Sequence, residues 1–404
     1  MLVNTKHSGM ATFGSPYLID EIGIPRYWAA VWASFLPASH APATVGKKLS
    51  QLDRFYRHAE SLLGTGGLDN ALSNFDVEAI CSSLEGYFLS IKNSSKITKE
   101  SEDRWQLAIQ FVNEITQRIC RNHGGQKHLA EFQAGLRELD LAHSTLHIGR
   151  RRHPERIRSL PSEVVEYLYQ LLDPESSINP FQNRASRWRV YVSFIVMLHQ
   201  GLRRSELLVL PVDVIKKSFD RSLNKDRFWI NVKYNEYEDD PRYSKPGIKN
   251  PSSIRQLPIS SVIALIVQEY TSNYRGRVRH SFLINSQKHH PLSPEGVTYI
   301  FKKITDSLPQ SLRKSLRDHT GADSISAHDL RHTSAVVRLN QLLSEGVEMD
   351  DAMQRMRAFF GWSRESDMPL RYARAVFEDR LASIWKAEFD DRVSILRSLS
   401  TRSK

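Results

Sequence analysis

The chain has 404 residues, a hydrophobic fraction of 40% and a charged fraction of 25%, values typical of a globular protein with two domains. The formal net charge of +11 favours a polyanionic partner such as DNA, although anionic membranes and plain solubility fit the charge equally well. No 18-residue apolar run and no N-terminal signal pattern are present, so we expect a cytoplasmic protein with no membrane partner. Because Cys81 and Cys120 are the only cysteines, neither a disulfide framework nor a zinc cluster is expected.

The first half of the chain predicts a leader, residues 1–24, followed by a helical domain, residues 25–148. Apolar residues recur there at the spacing of amphipathic helices in four successive stretches. In chain order they are Trp28, Val31, Trp32, Phe35 and Leu36; Leu49, Leu52, Phe55, Ala59 and Leu62; Val77, Ile80, Leu84, Tyr87 and Ile91; and Trp105, Ala108, Phe111, Val112, Ile115 and Ile119. Four such helices predict a small bundle, and we expect its aromatic residues in the core rather than stacked on bases.

Residues 149–158, GRRRHPERIR, are predicted to form an extended basic linker between two domains. Pro154 disfavours a helix through this segment, and Glu155 is its only acid. Arg150, Arg151 and Arg152 are therefore candidates for contact with the phosphate backbone of DNA. A solvated run of charge is an equally good interpretation of the segment.

Residues 159–404 predict a mostly helical domain with a small antiparallel β-sheet. One helix is predicted to begin at Pro161, a second to end at Gly201 and a third to begin at Ser293. Residues 228–234 and 254–259 are predicted to be paired strands. A C-terminal helix is predicted to dock into a neighbouring protomer or, equally well, to pack on its own domain. Its apolar face consists of Leu381, Ile384, Trp385, Phe389 and Val393.

Two short segments of this second half carry charged groups suited to binding a phosphate. In residues 201–206, GLRRSE, Arg203 and Glu206 are three apart and can share a helix face. The carboxylate would aim the planar guanidinium, whose fork fits two non-bridging phosphate oxygens. In residues 327–334, AHDLRHTS, His328 and Arg331 have the same spacing. Taken alone, either segment is also compatible with a structural ion pair or a core histidine.

A third segment carries a candidate nucleophile, Tyr372. It follows Trp362 by ten residues and lies between Arg371 and Arg374. A tyrosine can attack phosphorus without a metal where cationic and hydrogen-bonding groups stabilise the developing charge. Taken alone, it is equally compatible with a half-buried aromatic residue.

The order of these segments resembles that of the tyrosine recombinase, or phage integrase, family. The matching features are GLRxSE, a lysine ahead of an Arg-x-x-Pro strand, HxxRH, Gly-Trp and then Tyr, although Trp362 stands where many members have histidine. The resemblance covers about Arg156 to Arg374. It implies an α+β catalytic domain behind a helical, SAM-like core-binding domain, which together form a C-shaped clamp on duplex DNA.

The resemblance also implies a role for each residue. Tyr372 would attack the scissile phosphate, form a 3′-phosphotyrosyl bond and free a 5′-hydroxyl. Arg203 and Arg331 would hold the phosphate, and Glu206 would support Arg203. His328 would assist proton transfer from the tyrosine, and Lys249 would protonate the leaving oxygen. Trp362 would pack and hydrogen-bond beside the phosphate. Lys245 lies on the same loop as Lys249 and is the alternative general acid.

The function implied is site-specific recombination of duplex DNA by an integrase or transposon recombinase of a mobile element, acting as a homotetramer on two DNA sites. No ATP, metal or other cofactor is expected, because the energy of the broken ester is kept in the phosphotyrosyl bond. The sequence has neither a Walker A loop nor a concentrated set of carboxylates. A type IB topoisomerase and a non-cleaving DNA-binding protein of the same fold are the alternatives. Because no module precedes the helical bundle, a separate arm-site-binding domain is not expected.

Overall fold

The computed structural model describes residues 2–3, 16–37, 40, 42–94, 98–123, 130, 134, 137, 158–222, 224–374 and 376. The chain divides into two compact units, Met1–Arg152 and His153–Lys404. Most of the predicted basic linker, including Arg150, Arg151 and Arg152, lies outside the described residues, as does the predicted C-terminal helix. None of the helices in the described ranges is long and apolar enough to cross a membrane.

The first unit is a helical bundle with one short antiparallel pair of strands. Its helices are α1 (Tyr27–Ser34), α2 (Pro42–Leu63), α3 (Gly67–Ser73), α4 (Val77–Lys92) and α5 (Lys99–His123), and β1 (Leu2–Val3) pairs with β2 (Tyr17–Leu18). All four predicted helices are present, as α1, α2, α4 and α5. The seven-residue α3 was not predicted, because it is too short to show a periodic pattern and directly follows Gly64 and Gly66, both left-handed.

Most of the aromatic residues described in this bundle lie in its core, as predicted. Trp32, Phe55 and Phe111 are each at most 1% exposed. Three predicted core positions are wrong, since Phe35 is 58%, Leu62 is 54% and Val77 is 38% exposed. Phe35 caps the C-terminal end of α1 and lies under the guanidinium of Arg118, whose carbon is 3.6 Å from the ring centroid.

The second unit is mostly helical and contains one three-stranded antiparallel sheet, which confirms the predicted fold class. Its strands are β3 (Ile215–Asp220), β4 (Lys225–Val232) and β5 (Arg255–Ile259), in the order β3-β4-β5. Its helices are α6 (Ser162–Leu172), α7 (Arg184–Gln200), α8 (Arg204–Val209), α9 (Ser261–Glu269), α10 (Pro294–Asp306), α11 (Gln310–Thr320), α12 (Ala327–Ser344) and α13 (Met349–Phe360). Residues 368–374, here called the tyrosine helix, are also helical.

Strands β4 and β5 are the pair predicted from the sequence, with ends that differ from the prediction by at most three residues. Ile230 pairs with Leu257 at the centre of β4 and β5, and both side chains are buried. Strand β3 was not predicted. Its sequence, IKKSFD, is mostly polar and shows no apolar alternation, so only its pairing with β4 along its whole length makes it a strand.

Two left-handed glycines bring remote parts of the second unit together. Gly201, with φ of 57°, ends α7 just before Arg203, and Gly361, with φ of 59°, ends α13. A Cβ at Gly201 would lie 2.2 Å from Cε1 of Phe360, and one at Gly361 would lie 2.8 Å from Cα of Ser253. Only glycine fits both the backbone conformation and these close approaches, so the ends of α7 and α13 can meet.

Candidate active site

A buried carboxylate, that of Glu206, organises the cationic part of the site. It is 0% exposed and accepts hydrogen bonds from the backbone N–H of Arg203 at 3.0 Å, from the Arg203 guanidinium at 2.5 Å and from Arg255 at 3.1 Å. Nη1 of Arg331 lies 3.8 Å from Oε2 of the same carboxylate. Nη1 of Arg203 also donates to the hydroxyl of Ser253 at 2.9 Å. Glu206 therefore fixes the orientation of Arg203 and lies beside two further arginines.

Three arginines lie beside one carboxylate, and this excess of positive charge shifts the pKa values of both Glu206 and Arg331. Burial would raise the pKa of Glu206, but the positive charges of Arg255, Arg331 and Arg203 outweigh burial and lower it. Burial, followed by repulsion from Arg203, lowers the pKa of Arg331 to about 9. An anion beside these guanidinium groups would relieve that repulsion. The cluster is thus electrostatically suited to a phosphate.

Two backbone carbonyls hold the guanidinium of Arg331 in a fixed position. Its guanidinium donates to the carbonyl of Gly201 at 2.5 Å and to that of Phe360 at 2.6 Å, and the residue is 2% exposed. The carbon of the guanidinium lies 5.0 Å from the ring centroid of Phe360 and 5.8 Å from that of Trp362. The ends of α7 and α13 therefore fix the orientation of Arg331.

Tyr372 lies at the end of an aromatic stack. Its ring is 5.4 Å from that of Trp362 at an interplanar angle of 15°, and Trp362 in turn stacks on Phe360 at 4.9 Å and 14°. The residue is 1% exposed, and its hydroxyl is 2.6 Å from Nδ1 of His332. Burial raises the pKa of Tyr372 well above its usual value, although the nearby charges of Arg331 and Arg203 oppose this. The hydroxyl is consequently protonated.

The partner of Tyr372, His332, was missed by the sequence reasoning, although it stands in the HxxRH segment. His328 and His332 are four residues apart on α12, and their ring centroids are 4.5 Å apart. His328 is exposed, whereas His332 is half-buried. Loss of hydration and the charges of Arg331 and Arg203 lower the pKa of His328. The i, i+4 spacing of the two histidines was the available signal, because it places both on one face of the helix.

The two candidate lysines lie on the long loop between β4 and β5, and both are exposed. The loop is tied back on itself, because the hydroxyl of Tyr234 accepts from the N–H of Ile248 at 3.1 Å and donates to its carbonyl at 3.3 Å. The charge of Lys249 is among those that lower the pKa of His328, so Lys249 lies within electrostatic range of this histidine.

In the described parts of the second unit, the structure brings together Arg203, Glu206, His328, Arg331, Trp362 and Tyr372, with Lys249 on the adjoining loop. It adds Arg255 and His332, which the sequence reasoning did not assign to the site. Within the described residues, no group of three or more His, Cys, Asp or Glu side chains is arranged to hold a metal ion.

Comparison with known proteins identifies the family. None of the curated proteins matches this chain. Among solved structures, the crystal structure of XerA recombinase is 15% identical, with 85% of this chain and 92% of that chain covered and a TM-score of 0.34. The XerH site-specific recombinase bound to its difH substrate in a pre-cleavage complex is 14% identical, with 89% and 93% covered and a TM-score of 0.37. The model of the phage integrase family matches residues 158–378, more than half of the chain. This chain therefore belongs to the phage integrase family of tyrosine recombinases.

Proposed function

We propose that this protein is a site-specific DNA recombinase that cleaves and rejoins duplex DNA through a 3′-phosphotyrosyl bond on Tyr372. The observation that carries the proposal is the stack of Tyr372 on Trp362, whose ring centroid also lies 5.8 Å from the guanidinium carbon of Arg331. Arg203 and Arg331 both lie beside the carboxylate of Glu206, whose single negative charge does not balance their two positive charges. A phosphodiester supplies the missing negative charge, and tyrosine supplies the nucleophile.

In the proposed first step, the Tyr372 oxygen forms a bond to phosphorus and the bond from phosphorus to the 5′-oxygen breaks. Arg203 and Arg331 stabilise the charge that develops on the non-bridging oxygens, and Lys249 protonates the departing 5′-oxygen. Arg331 and Tyr372 are at most 2% exposed, so a phosphate has to displace neighbouring groups to contact both. A 5′-hydroxyl from a second duplex then reverses the step and rejoins the strand.

His328 and Trp362 complete the proposed phosphate site. His328 is exposed one helical turn before His332, where its ring can donate to a non-bridging oxygen. Trp362 is stacked between Phe360 and Tyr372, and its indole N–H is the proposed donor to the same phosphate. Two residues could take the proton of Tyr372: His328, which the family resemblance implies, and His332, which is hydrogen-bonded to it.

The number of cleavages in strand exchange determines the number of protomers in the proposed assembly. Two duplex sites with two cleavages each require four nucleophiles, so we propose that four protomers act together on DNA. Integration, excision or transposition of a mobile element is the biological process that this chemistry serves. The contact of Arg150, Arg151 and Arg152 with the DNA backbone remains a prediction from the sequence.

The test of the nucleophile uses nicked duplexes tiled across the DNA that flanks the gene. A nick beside the cleavage site lets the 5′-hydroxyl fragment diffuse away, so a covalent protein–DNA adduct accumulates and survives denaturing electrophoresis. We expect an adduct with the wild type and with Tyr299→Phe, a matched control because Tyr299 is 65% exposed on α10. Tyr372→Phe should bind the same DNA and give no adduct. An adduct in Tyr372→Phe, or none in the wild type, would overturn the proposal.

A second measurement separates recombination from topoisomerase activity. Two duplexes that carry the cleaved sequence and differ in length should exchange arms and yield recombinants of new length. A type IB topoisomerase would instead relax a supercoiled plasmid and return each duplex to its own partner. Relaxation without recombinants would favour the topoisomerase alternative.

A further inference from the structure

The hydrogen bond between Tyr372 and His332 gives the nucleophile a proton acceptor in the site. The hydroxyl oxygen and Nδ1 are 2.6 Å apart, which is short for such a pair. His332 belongs to α12, and Tyr372 belongs to the tyrosine helix, so the bond joins two elements 40 residues apart in sequence. The ring of Tyr372 also contacts those of Trp362 and His332, with centroids 5.4 Å and 5.7 Å away.

The direction of this hydrogen bond depends on the tautomer of His332. Burial, followed by the charges of His328, Arg331 and Arg158, lowers the pKa of His332 to about 3, so its ring is neutral at ordinary pH. Tyr372 is protonated, so its hydroxyl can donate to Nδ1 when the ring proton of the neutral imidazole is on Nε2. Proton transfer from Tyr372 to His332 requires this tautomer. The charged and titratable groups that face the ring are His328 and Arg331 on α12 itself, Arg158 before α6, and Tyr372.

His328 is less suited to the same task. Its ring is in contact with that of His332 rather than with Tyr372, and in the described structure no hydrogen bond joins it to the tyrosine hydroxyl. Its exposure instead suits it to contact DNA. A general base has to lie within about 2.6 to 3.2 Å of the proton-bearing atom, and of the two histidines only His332 meets this condition here.

We propose that His332 is the general base of the cleavage step and takes the proton of Tyr372 at Nδ1, a role that rests on the proposed function of the site. As the tyrosine oxygen bonds to phosphorus, its O–H bond breaks and the proton moves to Nδ1 of His332. The P–O5′ bond breaks, and the 5′-oxygen receives a proton from Lys249. In rejoining, His332 returns its proton to the phenolate oxygen of Tyr372. A bound phosphate favours the transfer, because its negative charge raises the pKa of the neighbouring imidazole.

The test measures the pH dependence of adduct formation on a nicked duplex with sulfur in the 5′-bridging position. Sulfur is a good leaving group that needs no protonation, so the ionisation of Lys249 no longer affects the rate. Between pH 6.5 and 8.5 we expect a flat profile for the wild type, in which His332 is neutral and Tyr372 protonated throughout. His332→Asn keeps an acceptor for the hydroxyl but cannot take its proton. Its rate should follow the phenolate fraction and rise about tenfold per pH unit.

His328→Asn is the matched control, because it makes the same substitution one helical turn away. It should slow cleavage by the same factor at every pH and leave the pH profile flat. A group that only contacts the phosphate changes the cleavage rate but not its dependence on pH. A flat profile for His332→Asn, or a tenfold slope for His328→Asn, would overturn the assignment of His332. Absence of any adduct in the wild type would instead overturn the proposed function.

A measurement on the wild type keeps the proposal testable if His332→Asn does not fold. Nitrogen NMR of ¹⁵N-histidine-labelled protein distinguishes the two neutral tautomers of an imidazole. We expect His332 to carry its proton on Nε2 at pH 7, and its Nδ1 resonance to shift when Tyr372→Phe removes the donor. A proton on Nδ1 in the wild type would exclude His332 as the acceptor.

Discussion

Replacement of Glu206 by glutamine tests whether one buried carboxylate holds the arginines of the site. Glutamine keeps the shape of the side chain and one oxygen acceptor but removes the negative charge. It would leave Arg203, Arg255 and Arg331 without compensation in an environment where Glu206 is 0% exposed. Removing one partner of a buried ion pair costs about 3 to 5 kcal/mol. For a unit of this size, that corresponds to a fall in Tm of roughly 6 to 20 °C.

The assay is thermal and urea unfolding followed by circular dichroism, with Glu175→Gln as the matched control. Glu175 is bonded to Arg184 at 2.7 Å, but the side chains are 67% and 64% exposed. Exposed pairs contribute little to stability, so the control should unfold with the wild type. In addition, sulfate should stabilise Glu206→Gln more than the wild type, because an anion can replace the lost charge. If Glu206→Gln unfolds with its control, the carboxylate does not organise the site.

The same carboxylate predicts how stability depends on pH. The arginines lower the pKa of Glu206 in the folded protein relative to the unfolded chain. Its contribution is therefore fully present above the pKa of an ordinary glutamate and is lost as the pH falls through the folded pKa. Glu206→Gln should have a smaller loss of stability than the wild type across this acid range. An equal loss in both proteins would contradict the assigned electrostatics.

Three further predictions concern single side chains. Gly201→Ala should destabilise the protein more than Gly321→Ala in urea unfolding: both glycines are left-handed, but only at Gly201 would a Cβ lie 2.2 Å from a ring carbon. The left-handed conformation alone costs about 1 to 2 kcal/mol, and equal losses would show that the contact relaxes freely. Lys249→Ala should regain cleavage on a 5′-bridging sulfur substrate, whereas rescue of Lys245→Ala instead would reassign the general acid. Arg331→Ala should slow adduct formation about 100- to 1000-fold with much less effect on DNA binding in gel-shift assays, and unchanged cleavage would remove it from the site.

The sequence by itself determined where several helices lie and which side chains are available for catalysis. Apolar spacing located α2, α4 and α5, because a helix that packs on one face has to repeat every three or four residues. The pairing of Arg203 with Glu206 followed from their three-residue spacing, which is a local property of one helical turn. The order of GLRxSE, HxxRH, Gly-Trp and Tyr indicated the family before any fold was known.

Only the tertiary structure decided which remote side chains meet. Arg255 lies 49 residues beyond Glu206 in sequence, yet its guanidinium donates to that carboxylate, a contact that no local spacing encodes. The bond between His332 and Tyr372 likewise depends on how the tyrosine helix packs against α12. Strand β3 exists because β4 offers it backbone partners, although its own side chains show no strand pattern. Local periodicity is a property of a short segment, whereas hydrogen bonds and burial between segments arise only when the whole chain packs.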